Sequence, residues 1–201
     1  MTGVGGFEAI VLAAGSGTRF GGGKLLAPYG GGVLLDGALR AAFAAPVRTV
    51  TVVTGADPSR VGAAVRALAG AVGQGRRLQI VHAVDHAEGM GASLRRAAAA
   101  LPTDAEGVFV FLGDMPRIPT SVLERLAQAV RDGAPAAAAT FDGKRGHPAV
   151  IGADLIPQLL TLQGDAGARA VLQGLGDRLV LVEAPDDGVL FDVDQPADLS
   201  G

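Results

Sequence analysis

The 201-residue sequence predicts an α/β fold with a mostly parallel central sheet covered by helices, and three observations carry that prediction. Short β-rich runs alternate with Ala-rich amphipathic stretches along the chain, the pattern of strands joined through helical crossovers. The run Val108-Phe109-Val110-Phe111-Leu112 is apolar at every position, as a strand buried on both faces requires. The first apolar run leads directly into a glycine-rich turn, and ligands in open α/β sheets collect beyond the carboxyl ends of strands.

Taken in order, the first strand is read near Ala9–Leu12, followed by a helix over Leu34–Ala44 and a strand over Thr49–Val53. A helix over Pro58–Leu68 starts with Asp57 as N-cap and proline in its first turn. A strand over Leu78–His82, a helix over Ser93–Ala100 and the buried strand Val108–Leu112 come next. The helix over Ser121–Val130 carries a capping box in Thr120-Ser121 with Glu124. Strands over Ala136–Thr140 and Ala149–Ile151, helices over Leu155–Leu162 and Ala166–Gln173, and a strand over Leu179–Val182 complete the reading. There is no internal repeat or linker, and the length suits one ordinary domain better than two, so residues 1–201 are read as a single domain.

Hydrophobic content of 49% with 18% charged residues is globular, and only 4% aromatic content points to a core of Ala, Val and Leu. A net charge of -3 offers no basic face for a nucleic-acid polymer. The absence of cysteine removes disulfides, thiolate metal sites and cysteine nucleophiles together. The start MTGVGGFEAIVLAAG lacks the basic and long apolar regions of a signal peptide, and no apolar run approaches the roughly 18 residues that would cross a bilayer. A cytoplasmic enzyme or binding protein, without membrane contact, is expected.

The most informative segment runs from Leu12-Ala13-Ala14-Gly15-Ser16-Gly17 through Arg19 to Lys24. Glycines at 15, 17, 21, 22 and 23 allow positive φ and bring backbone N–H groups close to an anion, while Arg19 and Lys24 add fixed positive charge. The segment is a phosphate cradle or, on the plainer view, a flexible surface turn with incidental charges. It is not a dinucleotide fingerprint, because the last required glycine position is Phe20. Nor is it a Walker A loop, which would need Gly at Thr18 and Ser or Thr at Leu25.

Nucleotidyl transfer usually also needs a divalent metal, and Mg²⁺ is bound by one or two carboxylates while keeping several waters. Asp114, just past the buried strand in Gly113-Asp114-Met115-Pro116, is a candidate ligand or else a turn residue. In Asp192-Val193-Asp194-Gln195-Pro196 the two acids project to the same side of an extended segment. Asp194 precedes Gln195-Pro196 as an N-cap would, so Asp192 is favoured as the second ligand; a solvated acidic end is the plainer view. Glu88-Gly89-Met90-Gly91-Ala92-Ser93 offers close backbone approach and a hydroxyl at a helix start, or an ordinary loop entering a helix.

With these pieces in order, the sequence resembles the nucleotidyltransferases that attach a nucleotide to molybdopterin, and within them the molybdenum cofactor cytidylyltransferase branch. The resemblance covers nearly the whole chain: Leu12–Gly15 through Arg19, Lys24-Leu25-Leu26, Gly89–Leu94, Gly113–Pro116, Gly146-His147-Pro148, Gly164–Arg169 and Asp192–Leu199. It implies a three-layer Rossmann-like nucleotidyltransferase fold and Mg²⁺-dependent transfer of CMP from CTP to molybdopterin with release of pyrophosphate. By the same resemblance Leu12, Ala13, Ala14, Gly15, Ser16 and Gly17 contact the nucleotide, Arg19 and Lys24 serve the phosphates, Asp114 holds the metal, and Ser93 lies near the base. Ala14 and Gly23 stand where the guanylyl-transferring branch tends to have Gly and Asp, which favours cytosine. The chain departs from the family in Phe20 for Met, Gly23 for Pro, and Ala83-Val84-Asp85-His86 without the customary Asn.

On the acceptor side the resemblance implies roles for His147, as a hydrogen-bond partner of pterin or phosphate, and for Arg169, through its planar fork; a structural histidine and a surface salt bridge are the plainer readings. His82 and His86 have i,i+4 spacing but no third ligand, so no zinc site is expected. The partners implied are the two substrates and a molybdoenzyme or cofactor chaperone that receives the product. A guanylyl-transferring relative, a sugar-phosphate nucleotidyltransferase and a noncatalytic cofactor-holding module remain the alternatives.

Overall fold

The computed structural model describes residues 6–17 and 20–200. Seven strands among these residues form one sheet: β1 (Gly6–Ala13), β4 (Val47–Thr54), β5 (Leu78–His82), β6 (Ala105–Leu112), β7 (Ala136–Phe141), β8 (Lys144–Gly152) and β9 (Leu179–Glu183). Their order is β5-β4-β1-β6-β8-β7-β9, and β8 alone runs antiparallel to its neighbours. All seven expected strands are present. A two-stranded ribbon, β2 (Pro28–Tyr29) with β3 (Gly32–Val33), was not anticipated; each arm has two residues, too short to show periodicity.

Among the described residues six α-helices flank the sheet: α1 (Leu35–Ala44), α2 (Pro58–Ala71), α3 (Met90–Ala98), α4 (Leu123–Arg131), α5 (Ile156–Leu159) and α6 (Ala168–Gln173). The alternation of side chains along the strands sorts the core into two layers. Phe7, Ala9, Val11 and Ala13 of β1, with Phe109 and Phe111 of β6, pack against α1, α2 and α4. Ile10 of β1, with Val108 and Val110 of β6, packs against α3, α5 and α6. The three-layer α/β arrangement is therefore built by a sheet that is apolar on both sides. Phe109 joins Phe7 edge-on and Phe111 in a stack, each at 5.9 Å between ring centroids.

Asp57 caps α2 as expected, accepting from Arg60 N at 3.2 Å. The expected capping box does not form: a 3₁₀ turn over Thr120–Val122 follows Pro119, no side chain caps it, and α4 starts only at Leu123. The helix expected over Leu155–Leu162 shrinks to Ile156–Leu159. Pro157 is tolerated only in the first turn, and 3₁₀-type bonds from Leu160 and Thr161 close the helix immediately. No helix among the described residues is long and apolar enough to cross a membrane.

Candidate active site

The chain leaves β1 for β4 and β5 on one side of the sheet, then returns to β6 on the other side of β1. The crevice at the carboxyl ends of β1 and β6 is thus the topological switch point, where such sheets bind ligands. The two strands run in register to Leu12 and Leu112, and Gly113 N donates to Leu12 O at 2.9 Å. A Cβ at Gly113 would lie 2.8 Å from that same oxygen, so glycine is what lets the chain turn here. Asp114 is then delivered beside the turn that follows β1.

In that turn, Gly17, Gly21, Gly22 and Gly23 have positive φ; Gly15, expected to share it, does not. Phe20 N and Gly22 N both donate to Gly17 O, folding the loop back so that Lys24 starts a 3₁₀ turn over Lys24–Leu26. Lys24 Nζ lies 2.7 Å from Asp114 Oδ2 and 3.7 Å from Asp194 Oδ1. The lysine side chain is only 13% exposed, so this pair is less screened than a surface ion pair. Arg19 lies outside the described residues.

Val193 N donates to Asp114 O at 3.1 Å and draws the C-terminal acidic segment to the same place. Partial burial pushes the Asp192 carboxyl above the usual range, and the negative charges of Asp194 and Asp114 push it further. The expected N-cap role of Asp194 is corrected here. Asp198, not Asp194, is the capping side chain, accepting from Asp194 N at 2.9 Å and from Gln195 N at 2.8 Å. That frees the Asp194 carboxylate to face Lys24.

Among the described residues no group of three or more His, Cys, Asp or Glu side chains is arranged to hold a metal ion on its own. The donor set fits Mg²⁺ nonetheless. Hard carboxylate oxygens from Asp114 and from Asp192 or Asp194 would supply the one or two protein ligands that such an ion takes alongside substrate phosphates and water. The mutual repulsion raising Asp192 is what a divalent cation would relieve.

Lys24 and Asp114 lie on the wall of a cavity of about 560 Å³. Of the residues expected to hold nucleotide, Leu12, Ala14, Gly15, Ser16, Gly17 and Ser93 line it as well. Ala13 does not: alternation along β1 turns its side chain into the core on the opposite face. The cavity also takes in His86, Met90 and Asp165, which the sequence reading did not place there. The opening of α3 is fastened across the cavity wall, Gly91 N donating to Gly164 O at 2.8 Å.

A second cleft, of about 430 Å³, is lined by Lys144, Arg145, Gly146, His147, Arg169 and Leu172. It exists because β8 is antiparallel: its first residues lie at the sheet edge where the other strands end. The turn into it, Asp142-Gly143, has positive φ at both positions, as a two-residue hairpin prefers. His147 is a strand residue rather than part of a turn before the strand. Burial pushes its pKa down; Asp114 opposes that shift and Arg145 reinforces it. Its Nδ1 is buried without a hydrogen-bond partner among the described residues. Arg169 forms no ion pair among the described residues, contrary to a surface salt-bridge role.

The family model of the MobA-like NTP transferase domain matches residues 9–179, from within β1 to the first residue of β9. The chain belongs to the MobA-like NTP transferase family. It is an enzyme of the nucleotidyltransferase type. Among MobA-like relatives it is 33% identical over 193 residues to nicotine blue oxidoreductase of Paenarthrobacter nicotinovorans, covering 92% of this chain and 90% of that one. It is 26% identical over 191 residues to the molybdenum cofactor cytidylyltransferase of Escherichia coli K12, covering 95% and 92%. The crystal structure of Rv0371c from Mycobacterium tuberculosis H37Rv superimposes with a TM-score of 0.80 at 26% identity, covering 96% of this chain and 95% of that one. Rv0371c has also been crystallised with manganese.

Proposed function

We propose that the chain is a single nucleotidyltransferase domain that transfers CMP from CTP to molybdopterin, releasing pyrophosphate. The observation that carries this reading is the Lys24–Asp114 pair at the β1/β6 switch point, with a nucleotide-sized cavity on one side and a cationic cleft beside His147 on the other. The molybdenum cofactor cytidylyltransferase among its relatives, and Ala14 where guanylyl-transferring members tend to have glycine, support CTP and molybdopterin as the substrates.

In this mechanism the terminal phosphate of molybdopterin attacks the α-phosphorus of CTP in line, and pyrophosphate leaves toward the glycine loop. No side-chain base is required, because a phosphate monoester is already largely anionic near neutral pH. The protein's task is alignment and charge neutralisation. Lys24 and Arg19 neutralise the phosphates, the loop N–H groups orient them, and His147 and Arg169 hold the acceptor. Asp114, with Asp192 or Asp194, would hold Mg²⁺, which supplies further charge neutralisation when bound. The product would pass to a molybdoenzyme or a cofactor chaperone.

Pyrophosphate release with CTP, GTP, ATP and UTP against molybdopterin tests the reading, and CTP is expected to be the productive nucleotide. Turnover with GTP would reassign it to guanylyl transfer. Reduction of nicotine blue with no pyrophosphate release from any nucleotide would replace it with the activity named for the relative from Paenarthrobacter.

A further inference from the structure

His86 stands at the end of the nucleotide cavity formed by Ala14, and no step of the proposed mechanism uses it. It belongs to a 3₁₀ turn over His86–Glu88, between the end of β5 and the start of α3. Two contacts fix its ring. Nδ1 lies 3.0 Å from Ala83 O. The ring also packs on Gly55, where a Cβ would lie 2.7 Å from His86 Cγ and 2.8 Å from Ala14 Cβ. Glycine at 55 therefore admits the imidazole against the strand end that borders the base.

The tautomer follows from the partner. A carbonyl oxygen only accepts, so Nδ1 carries the proton and donates it to Ala83 O. In the neutral ring the other nitrogen, Nε2, is then an acceptor with a fixed direction. It has no hydrogen-bond partner among the described residues, and the side chain is only partly buried, on the cavity wall. A partly desolvated acceptor of this kind favours a ligand that brings a donor and penalises one that brings a second lone pair.

We infer that His86 is a base-specificity residue: its Nε2 accepts from the exocyclic amino group of the nucleotide base and so selects cytosine over uracil. This rests on the transferase reading, in which the base lies against Ala14. Cytosine presents an amino group where uracil presents a carbonyl oxygen. With uracil, two acceptors would face each other and neither would be satisfied. The expected discrimination is about ten-fold or more in affinity, the size of one hydrogen bond together with the cost of an unmet polar group.

Calorimetric titration of CTP and UTP with Mg²⁺ and no acceptor tests this without requiring the acceptor's identity. Wild-type protein should bind CTP about ten-fold more tightly or better. His86→Phe keeps a ring on Gly55 and removes the acceptor; it should bring the CTP-to-UTP ratio close to one. His86→Gln, whose amide oxygen can replace Nε2, should retain most of the preference. The triphosphate of pyrimidin-2-one riboside, cytidine without its amino group, should lose about ten-fold affinity for the wild-type protein, a readout that needs no variant. An unchanged ratio in His86→Phe, or equal wild-type binding of CTP and UTP, overturns the assignment and leaves the transferase reading standing. Failure of every nucleotide to bind overturns the transferase reading and the role of His86 together.

Discussion

Lys24 and Asp114 are ninety positions apart in the chain and 2.7 Å apart in space, and each holds the other in a partly shielded setting. Their substitutions should therefore separate binding from chemistry. On the proposed mechanism, Lys24→Ala removes a charge that acts most strongly on the phosphates as negative charge develops there. Turnover should fall by about a hundred-fold or more, with a much smaller change in CTP affinity. Single-turnover kinetics alongside equilibrium titration measures the two separately. Asp114→Ala should abolish metal-dependent pyrophosphate release, and near-normal turnover in that variant would remove Asp114 from the mechanism. Asp192 and Asp194 divide differently: Asp192 is raised by partial burial and by its acidic neighbours, whereas Asp194 faces Lys24 directly.

The start of α3 and the segment before α6 form one wall of the nucleotide cavity, and Arg95 ties them together. Its Nη1 donates to Leu162 O at 2.8 Å, and its Nη2 donates to Asp85 Oδ2 at 2.7 Å and to Glu88 Oε2 at 3.3 Å. The hydrogen bond from Arg95 holds the Asp85 carboxyl below the usual carboxylate range. A carboxyl with a depressed folded pKa stabilises the fold above its unfolded pKa of about 4, and the contribution is lost as pH falls through the depressed value. Asp85→Asn should therefore melt below wild type at pH 7, and the two melting temperatures should converge as the pH falls below the ordinary carboxyl pKa of about 4 and through the depressed one. A gap in melting temperature that persists at low pH would show that charge at Asp85 is not what stabilises this wall.

The candidate site and a buried ion-pair network occupy opposite ends of the sheet. At the end where β1 and β6 start, Glu8 is fully buried and accepts from Arg48 Nε at 2.7 Å, from Thr49 N at 3.0 Å and from the Thr49 hydroxyl. Arg48 also forms a two-point contact with Asp104, at 2.8 and 3.0 Å. Arg48→Ala would leave the buried Glu8 carboxylate without its counter-charge, a loss of about 3 kcal/mol of stability. CTP affinity should be unchanged, because the cavity lies at the far ends of the same strands. Denaturant unfolding together with nucleotide titration on the one variant measures both halves of this expectation. At the end that holds the candidate site, antiparallel β8 contributes Lys144, Arg145 and His147 to the second cleft, and α6 contributes Arg169 across from them.

The seven strands, the glycine loop and the place of Asp114 could be read from the residues because each depends on local pattern. A run such as Val108–Leu112 can bury both faces only inside a sheet, and whatever follows such a strand emerges at its carboxyl end. Partners distant in the chain left no such trace. The residues before Pro196 point to Asp194 as the cap, but the path of the backbone after Val193 brings the Asp198 carboxylate to the Asp194 and Gln195 N–H groups instead. The Asp142-Gly143 turn joins β7 and β8 as a hairpin that the strand reading above does not include, and the cationic cleft beside it required β8 to pair antiparallel with β6. His86 had spacing suggestive only of a metal pair with His82; its packing on Gly55 beside Ala14 made it a wall of the nucleotide cavity. Local sequence sets which backbone a segment adopts, because sterics and burial act over a few residues. Which side chains meet is settled by how strands order and helices dock, where contacts between distant segments outweigh local preference.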